Sequence, residues 1–191
     1  MPTVPHTLEL VPDPGLEARV IAVWKLLAAA GLPSRSRHPH PTNRPHLTLA
    51  VADRLDEPVR AALARELAEL PVPLRLDGLV VLGGRRRTVA WLVVPAAPLL
   101  GLHRRVHAVL GDAASSSPLL RPDRWVPHVT LAARTTPEEA GAVVAVLGAP
   151  ESLDALPALS GTDGSADRAR SYDTLARTTT PLHPADGRWL P

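Results

Sequence analysis

Two stretches of the sequence are nearly the same: residues 45–50 read PHLTLA and residues 127–132 read PHVTLA. Both alternate polar and apolar residues, which is typical of a half-buried β-strand because successive side chains point to opposite faces. Burying one face needs only apolar residues, so packing does not explain why a proline, a histidine and a threonine return in the same order. The repeat therefore predicts two equivalent strands that share a chemical task.

The segments that follow the two repeats have the same order, which indicates a duplicated α+β architecture. After PHLTLA come a helix that begins near Asp56, the strand LRLDGLVVL, a GGRRR turn and the strand TVAWLVV. After PHVTLA come a helix from Pro137 to Leu147, a strand around Leu153 to Leu159, a polar turn GTDGSADR and a strand YDTLART. We predict a single catalytic domain over residues 1–191 that is built from two lobes.

Further elements are indicated outside the repeated units. HTLELV at residues 6–11 alternates like a half-buried strand, and PDPG ends it. A helix is predicted from Leu16 to Ala30, and residues 98–112 form a second amphipathic helix. Loops at residues 33–45 and 111–124 lead into the two repeats. Because loops carry much of a protein's binding specificity, we expect these two to set the size of any substrate.

Composition narrows the class of protein. The 191 residues carry a formal net charge of +2, and Lys25 is the only lysine among 21 basic residues. Arginine suits phosphate recognition because its planar fork forms paired hydrogen bonds, so an anionic substrate is allowed but not required. The absence of cysteine excludes disulfides and thiolate metal sites. With no secretory pattern at the start and no apolar run of about 20 residues, we expect a cytoplasmic protein without a membrane span.

The polar face of each repeated strand offers one histidine and one threonine. His46 and Thr48 share a face of the first strand, and His128 and Thr130 share a face of the second. Two such strands side by side would present two imidazoles and two hydroxyls to one cleft. An imidazole titrates near pH 6.5, so one ring accepts a proton while the other donates one, and the hydroxyls bind phosphate oxygens. This set of groups favours phosphodiester chemistry without a metal.

On these two motifs, His46-Leu47-Thr48-Leu49 and His128-Val129-Thr130-Leu131, the chain resembles the 2H phosphoesterase superfamily, and within it the RNA 2′,3′-cyclic phosphodiesterase or 2′-5′ RNA ligase group. The resemblance implies two antiparallel sheets with flanking helices and a central groove. It implies that His128 activates water, that His46 protonates the departing oxygen, and that Thr48 and Thr130 hold the phosphate, although the two histidine roles are open to exchange. The implied substrate is RNA or a nucleotide with a cyclic phosphate, opened to a 2′-phosphate with no cofactor and no metal.

Several other residues are candidates for substrate contact. Members of the family often carry an arginine five residues after the second histidine, where this chain has Ala133 followed by Arg134. Trp125 is either a platform for a base or part of the core, and Arg44 adjoins the first motif. The arginines of the GGRRR turn either attract an RNA backbone or form an open basic surface. His103 and His107, four apart on a predicted helix, are interpreted as part of a solvated basic face and not as a metal pair.

Two other functions stay open. One alternative is the same chemistry on another cyclic or 2′-5′-linked phosphodiester, and the other is a non-catalytic module that binds RNA or a nucleotide, which would need the same polar face. The sequence has no Gly-Lys-Ser/Thr phosphate loop after the glycines at 83 and 84, so ATP-dependent ligation has no support.

Overall fold

The structure, a computed structural model, describes residues 5–114, 118–149 and 161–182. The helices in these ranges are α1 (Pro14–Ala29), α2 (Glu57–Leu67), α3 (Ala97–Leu110) and α4 (Pro137–Leu147). The strands are β1 (His6–Pro12), β2 (Leu47–Ala52), β3 (Val72–Leu82), β4 (Arg87–Val93), β5 (His128–Thr135), β6 (Thr162–Asp173) and β7 (Thr178–Pro181). The repeats lead into strands β2 and β5, as the alternation predicted, with His46 directly before β2 and His128 as the first residue of β5.

The helices begin where the sequence places capping residues. Asp13, Asp56 and Thr136 each accept a hydrogen bond from the first turn of the following helix, and a proline occupies that turn in α1, α2 and α4. A side-chain cap satisfies a backbone N–H that has no partner within the helix, and proline has no N–H to satisfy there. Gly31 ends the first helical segment with a positive φ of 74°, a conformation that glycine adopts without steric cost.

All strand pairs are antiparallel, in the order β1-β2-β5-β4-β3-β6-β7 with a further pairing of β1 to β6. The long strand β6 pairs with β3 through residues 162–166 and with β1 through residues 166–173. It therefore runs from one half of the sheet into the other. The fold is mixed α and β, as predicted, but the two predicted sheets are joined into one seven-stranded sheet by β6 and by the pairing of β2 with β5.

The C-terminal elements differ from the prediction. Strand β6 covers the segment GTDGSADR, which was predicted as a turn, and the turn lies instead at residues 174–177, inside the predicted strand YDTLART. Buried positions of β6 hold small or polar residues instead of large apolar ones, namely Thr162, Ala166, Ala169, Arg170 and Ser171. The apolar alternation that reveals a strand in a sequence is therefore missing. The strand predicted at residues 153–159 lies outside the described residues.

The apolar faces of the two repeated strands form part of the core. Leu47 and Leu49 of β2 and Val129 and Leu131 of β5 are buried, while the histidines and threonines of the same segments are only partly buried. The alternation of side chains thus separates a packing face from a polar face. In the described part of the chain, no helix is long and apolar enough to cross a membrane.

Candidate active site

Strands β2 and β5 bring the four motif side chains together. The two strands are paired antiparallel at a single position, with Leu47 opposite Val129. This register places His46 across from Thr130 and Thr48 across from His128. In an antiparallel pair without a bulge, the residue numbers of opposite positions have a constant sum. Side chains at opposite positions have Cβ atoms about 5 Å apart. The polar face therefore carries two histidines on one diagonal and two threonines on the other.

Each histidine ring is oriented by the same kind of hydrogen bond, from Nδ1 to the backbone carbonyl two residues earlier. Nδ1 of His46 lies 2.7 Å from the carbonyl oxygen of Arg44, and Nδ1 of His128 lies 2.7 Å from that of Val126. A carbonyl oxygen only accepts hydrogen bonds, so each Nδ1 carries the hydrogen and donates it. In the neutral ring this leaves the lone pair on Nε2, which is then the nitrogen that gains and loses a proton. In each imidazole, Nε2 is therefore the nitrogen that is available for proton exchange.

A buried ion pair lies beside His46. Oε1 of Glu9 is 3.7 Å from Nε2 of His46, and Oε2 of Glu9 accepts a 2.8 Å hydrogen bond from Nε of Arg170. Glu9 is only 4% exposed and Arg170 only 7% exposed. The carboxylate of Glu9 therefore lies between the guanidinium of Arg170 and the imidazole of His46. Neither Glu9 nor Arg170 was predicted as a site residue. The one sequence signal for such a role is the lone glutamate within the apolar alternation of HTLELV.

The surroundings of His128 have the opposite effect. Burial of the ring lowers the pKa of His128, and the nearby His46 lowers it further, although the hydrogen bond to Val126 opposes the shift. His128 also borders an apolar pocket of about 310 Å³. The lining of this pocket is Leu82, Gly83, Leu119, Leu120, Arg124, Trp125, Val126 and His128. The two rings thus make the same Nδ1 hydrogen bond but have different neighbours, a buried ion pair at His46 and an apolar pocket at His128.

Two tryptophans support the motif strands from the sides. Nε1 of Trp24 donates to the carbonyl oxygen of Thr130 at 2.9 Å, and Nε1 of Trp125 donates to that of Thr48 at 3.1 Å. These strands meet at only one pair, so the indoles satisfy carbonyl groups that a longer ladder would have paired. Trp125 is 8% exposed, which makes it mainly a core residue that borders the apolar pocket.

His103 lies against Trp125 inside the protein. The two rings are stacked with centroids 3.8 Å apart and planes 1° apart, and His103 is 0% exposed. The interpretation of His103 as part of a solvated basic face is therefore wrong. His103 belongs to the buried stripe of α3, together with Leu99, Leu102, Val106 and Leu110. Burial lowers its pKa to about 4, and the neighbouring His107 adds to the effect.

The guanidinium groups of Arg44 and Arg134 are not directed to the four motif side chains, that of Arg44 because of an ion pair and that of Arg134 because of distance. Arg44 is paired with Glu17 through bonds of 2.8 Å and 2.6 Å, so its charge is already matched. Arg134 is exposed, has a positive φ of 59° where the β4–β5 register is irregular, and lies six residues beyond His128. At about 3.3 Å per residue this separation approaches 20 Å, too far for both to touch one phosphate. Across the described ranges, no group of three or more His, Cys, Asp or Glu side chains is placed to hold a metal ion.

Comparison with known proteins identifies the family of the chain and structures of similar fold. A family model described as the 2′-5′ RNA ligase superfamily matches residues 12–161. Usb1 of Kluyveromyces marxianus is 13% identical with a TM-score of 0.54, covering 94% of this chain and 98% of Usb1. LigT of E. coli, solved with NADP+, is 15% identical with a TM-score of 0.54, covering 95% of each chain. A second Usb1 structure, with uridine monophosphate, is 14% identical with a TM-score of 0.53, covering 94% of this chain and 98% of that one. No curated protein matches the sequence.

Proposed function

This chain belongs to the 2′-5′ RNA ligase superfamily, and on that premise we propose that it is a phosphodiesterase that opens 2′,3′-cyclic phosphate ends of RNA or nucleotides to 2′-phosphates without a metal. The observation that carries the proposal is the pair of histidines on adjacent strands, each with Nδ1 donating to a backbone carbonyl and Nε2 left for proton exchange. A structural role for the two rings would not require the same tautomer in both.

The unlike surroundings support distinct roles for the two rings. His128, whose pKa is lowered by burial, is neutral at neutral pH and takes a proton from the attacking water. His46, whose Nε2 lies 3.7 Å from the carboxylate of Glu9, is the general acid in this scheme and gives a proton to the leaving oxygen. Formation of a 2′-phosphate requires that the new bond join the water oxygen to phosphorus and that the bond from phosphorus to the 3′ oxygen break. The proton from His46 therefore goes to the 3′ oxygen.

The two threonines complete the proposed site. Negative charge builds up on the non-bridging phosphate oxygens as water attacks, and preorganised donors at those oxygens lower the barrier. The hydroxyls of Thr48 and Thr130 lie on the same face as the imidazoles and are suited to this task. Usb1 and LigT have been solved with uridine monophosphate and with NADP+, and these ligands guide the choice of nucleotide substrates for the first assays.

The test is turnover of a short RNA that ends in a 2′,3′-cyclic phosphate, measured in EDTA from pH 5 to pH 9. We expect a bell-shaped rate profile for the wild type and a loss of about 100-fold to 10,000-fold in His46→Ala and in His128→Ala. His6→Ala is the matched control, because His6 lies at the far end of β1 from the site, opposite Ala52. Product analysis then distinguishes a 2′-phosphate from a 3′-phosphate.

Four outcomes would contradict the proposal in whole or in part. Turnover that requires an added metal, or that persists in both alanine variants, would exclude the two-histidine mechanism. An RNA that binds but is never opened would favour a binding module. Turnover of a 2′-5′-linked dinucleotide or another cyclic phosphodiester in preference to the RNA end would retain the mechanism and change the substrate.

A further inference from the structure

The hairpin turn between β3 and β4 carries unmatched positive charge. This turn, residues 83–87, is called here the arginine hairpin, and its Arg85 and Arg86 are exposed. Within the described residues, neither forms an ion pair with a carboxylate, whereas Arg44, Arg75, Arg105, Arg168 and Arg170 all do. Positive charge that is left without a local partner is available to an anionic ligand.

Contacts within the hairpin distinguish its three arginines. Nη1 of Arg87 donates to the carbonyl oxygen of Gly83 at 3.4 Å, and its charge also acts on Glu138 at the start of α4. Arg87 therefore has a structural role in the turn. Nη1 of Arg86 donates to the carbonyl oxygen of Arg134 at 3.3 Å, which brings the exposed Arg134 next to the hairpin. The free charge is thus concentrated on Arg85, Arg86 and Arg134.

The apolar pocket connects this charge to the candidate active site. The lining includes His128 of the candidate active site as well as Leu82 and Gly83, where the hairpin begins. Leu119 is 72% exposed within the lining, so the pocket presents apolar surface to solvent. Exposed apolar surface next to polar groups is typical of a ligand site, and a nucleobase is a flat ligand that apolar walls accept.

We propose that the apolar pocket holds the base of the nucleotide that carries the cyclic phosphate, and that Arg85, Arg86 and Arg134 bind the backbone phosphates on the 5′ side of that nucleotide in an RNA strand. This inference rests on the proposed function and narrows it, because it makes the end of an RNA strand the preferred substrate over a free cyclic nucleotide. The alternation of apolar pocket and basic hairpin matches the alternation of base and phosphate along a single strand. Arg134, too distant for the reacting phosphate, is then placed for the next one.

The test compares two substrates, an eight-nucleotide RNA with a 2′,3′-cyclic phosphate and the free cyclic nucleotide of the same base. The variant is Arg85→Gln/Arg86→Gln, and the control is Arg65→Gln/Arg104→Gln, which removes two exposed arginines from α2 and α3 that have no ion pair among the described residues. We expect the ratio of kcat/KM for the RNA to that for the nucleotide to fall about tenfold in the hairpin variant only. The salt dependence of RNA binding should weaken by about 0.7 in logarithmic slope for each lost contact.

Each other result has a definite meaning. An equal fall in the control would show a general effect of net charge and overturn the inference. A wild type that opens both substrates equally well would also overturn it, while the proposed function would stand. If the wild type opens neither substrate, the proposed function fails, and binding of an RNA that ends in a 2′-phosphate then tests the hairpin separately: an unchanged salt slope in the hairpin variant overturns the inference.

Discussion

Replacing His103 by leucine is expected to remove a pH-dependent part of the free energy of unfolding. The ring is fully buried against Trp125, and neither of its nitrogens has a hydrogen-bond partner of normal geometry among the described residues. Nearby backbone of Leu49 and Leu120 offsets the effect of burial only in part. The folded protein therefore holds His103 neutral at a pH where the unfolded chain protonates it.

The magnitude follows from the two pKa values. In the folded protein the pKa of His103 is about 4, against an ordinary value of 6.5. Between these values the unfolded chain binds one more proton than the folded chain, so stability falls as the pH falls through this window. At about 1.4 kcal/mol per pKa unit the full effect is about 3 kcal/mol, of which about 2.5 kcal/mol is lost by pH 4.5.

The assay is urea unfolding at pH 7 and at pH 4.5 for the wild type, His103→Leu and His103→Phe. Both variants lack the titrating ring but differ in shape, so each has its own packing cost, which does not change with pH. We expect the wild type to lose about 2.5 kcal/mol more than either variant between the two pH values. Equal losses in all three proteins would refute the assignment of His103 as a buried neutral histidine.

Two further predictions concern the support of the motif residues. Glu9→Gln keeps an acceptor for Arg170 but removes the negative charge 3.7 Å from Nε2 of His46, so kcat/KM for the cyclic phosphate should fall, and an unchanged kcat/KM would argue against a role of this carboxylate in positioning His46. Trp24→Phe and Trp125→Phe each leave one motif carbonyl without its indole donor, and each should lower the free energy of unfolding by about 1–3 kcal/mol in a denaturant titration. A loss confined to one of the two variants would show that the other carbonyl finds a new donor.

Local signals in the sequence predicted the parts of the fold that local physics decides. Capping residues and prolines mark the helix starts, and the repeated alternation marks β2 and β5. The Glu9–Arg170 pair was missed because its members lie 161 residues apart and meet only through the pairing of β1 with β6. Burial of His103 was predictable, since its spacing from Leu99, Leu102, Val106 and Leu110 continues the apolar stripe of α3. Arg104 and Arg105 follow His103 directly, and for this reason His103 was interpreted as part of a charged surface.

Duplication of the histidine motif does not by itself produce one general acid and one general base. Two copies of one motif supply two imidazoles with the same Nδ1 contact, and equal surroundings would give them equal proton affinity. The residues that distinguish them lie outside the repeated phrase: Glu9 comes from β1 beside His46, and the apolar lining at Leu119, Leu120 and Trp125 comes from the segment before β5 beside His128. Exchanging the motif threonines or the apolar residues within the repeats would preserve these different surroundings, whereas removing Glu9 would take away the charged neighbour of His46. The asymmetry of the site is therefore carried by segments that the repeat does not include, and the assignment of His46 as acid and His128 as base depends on them.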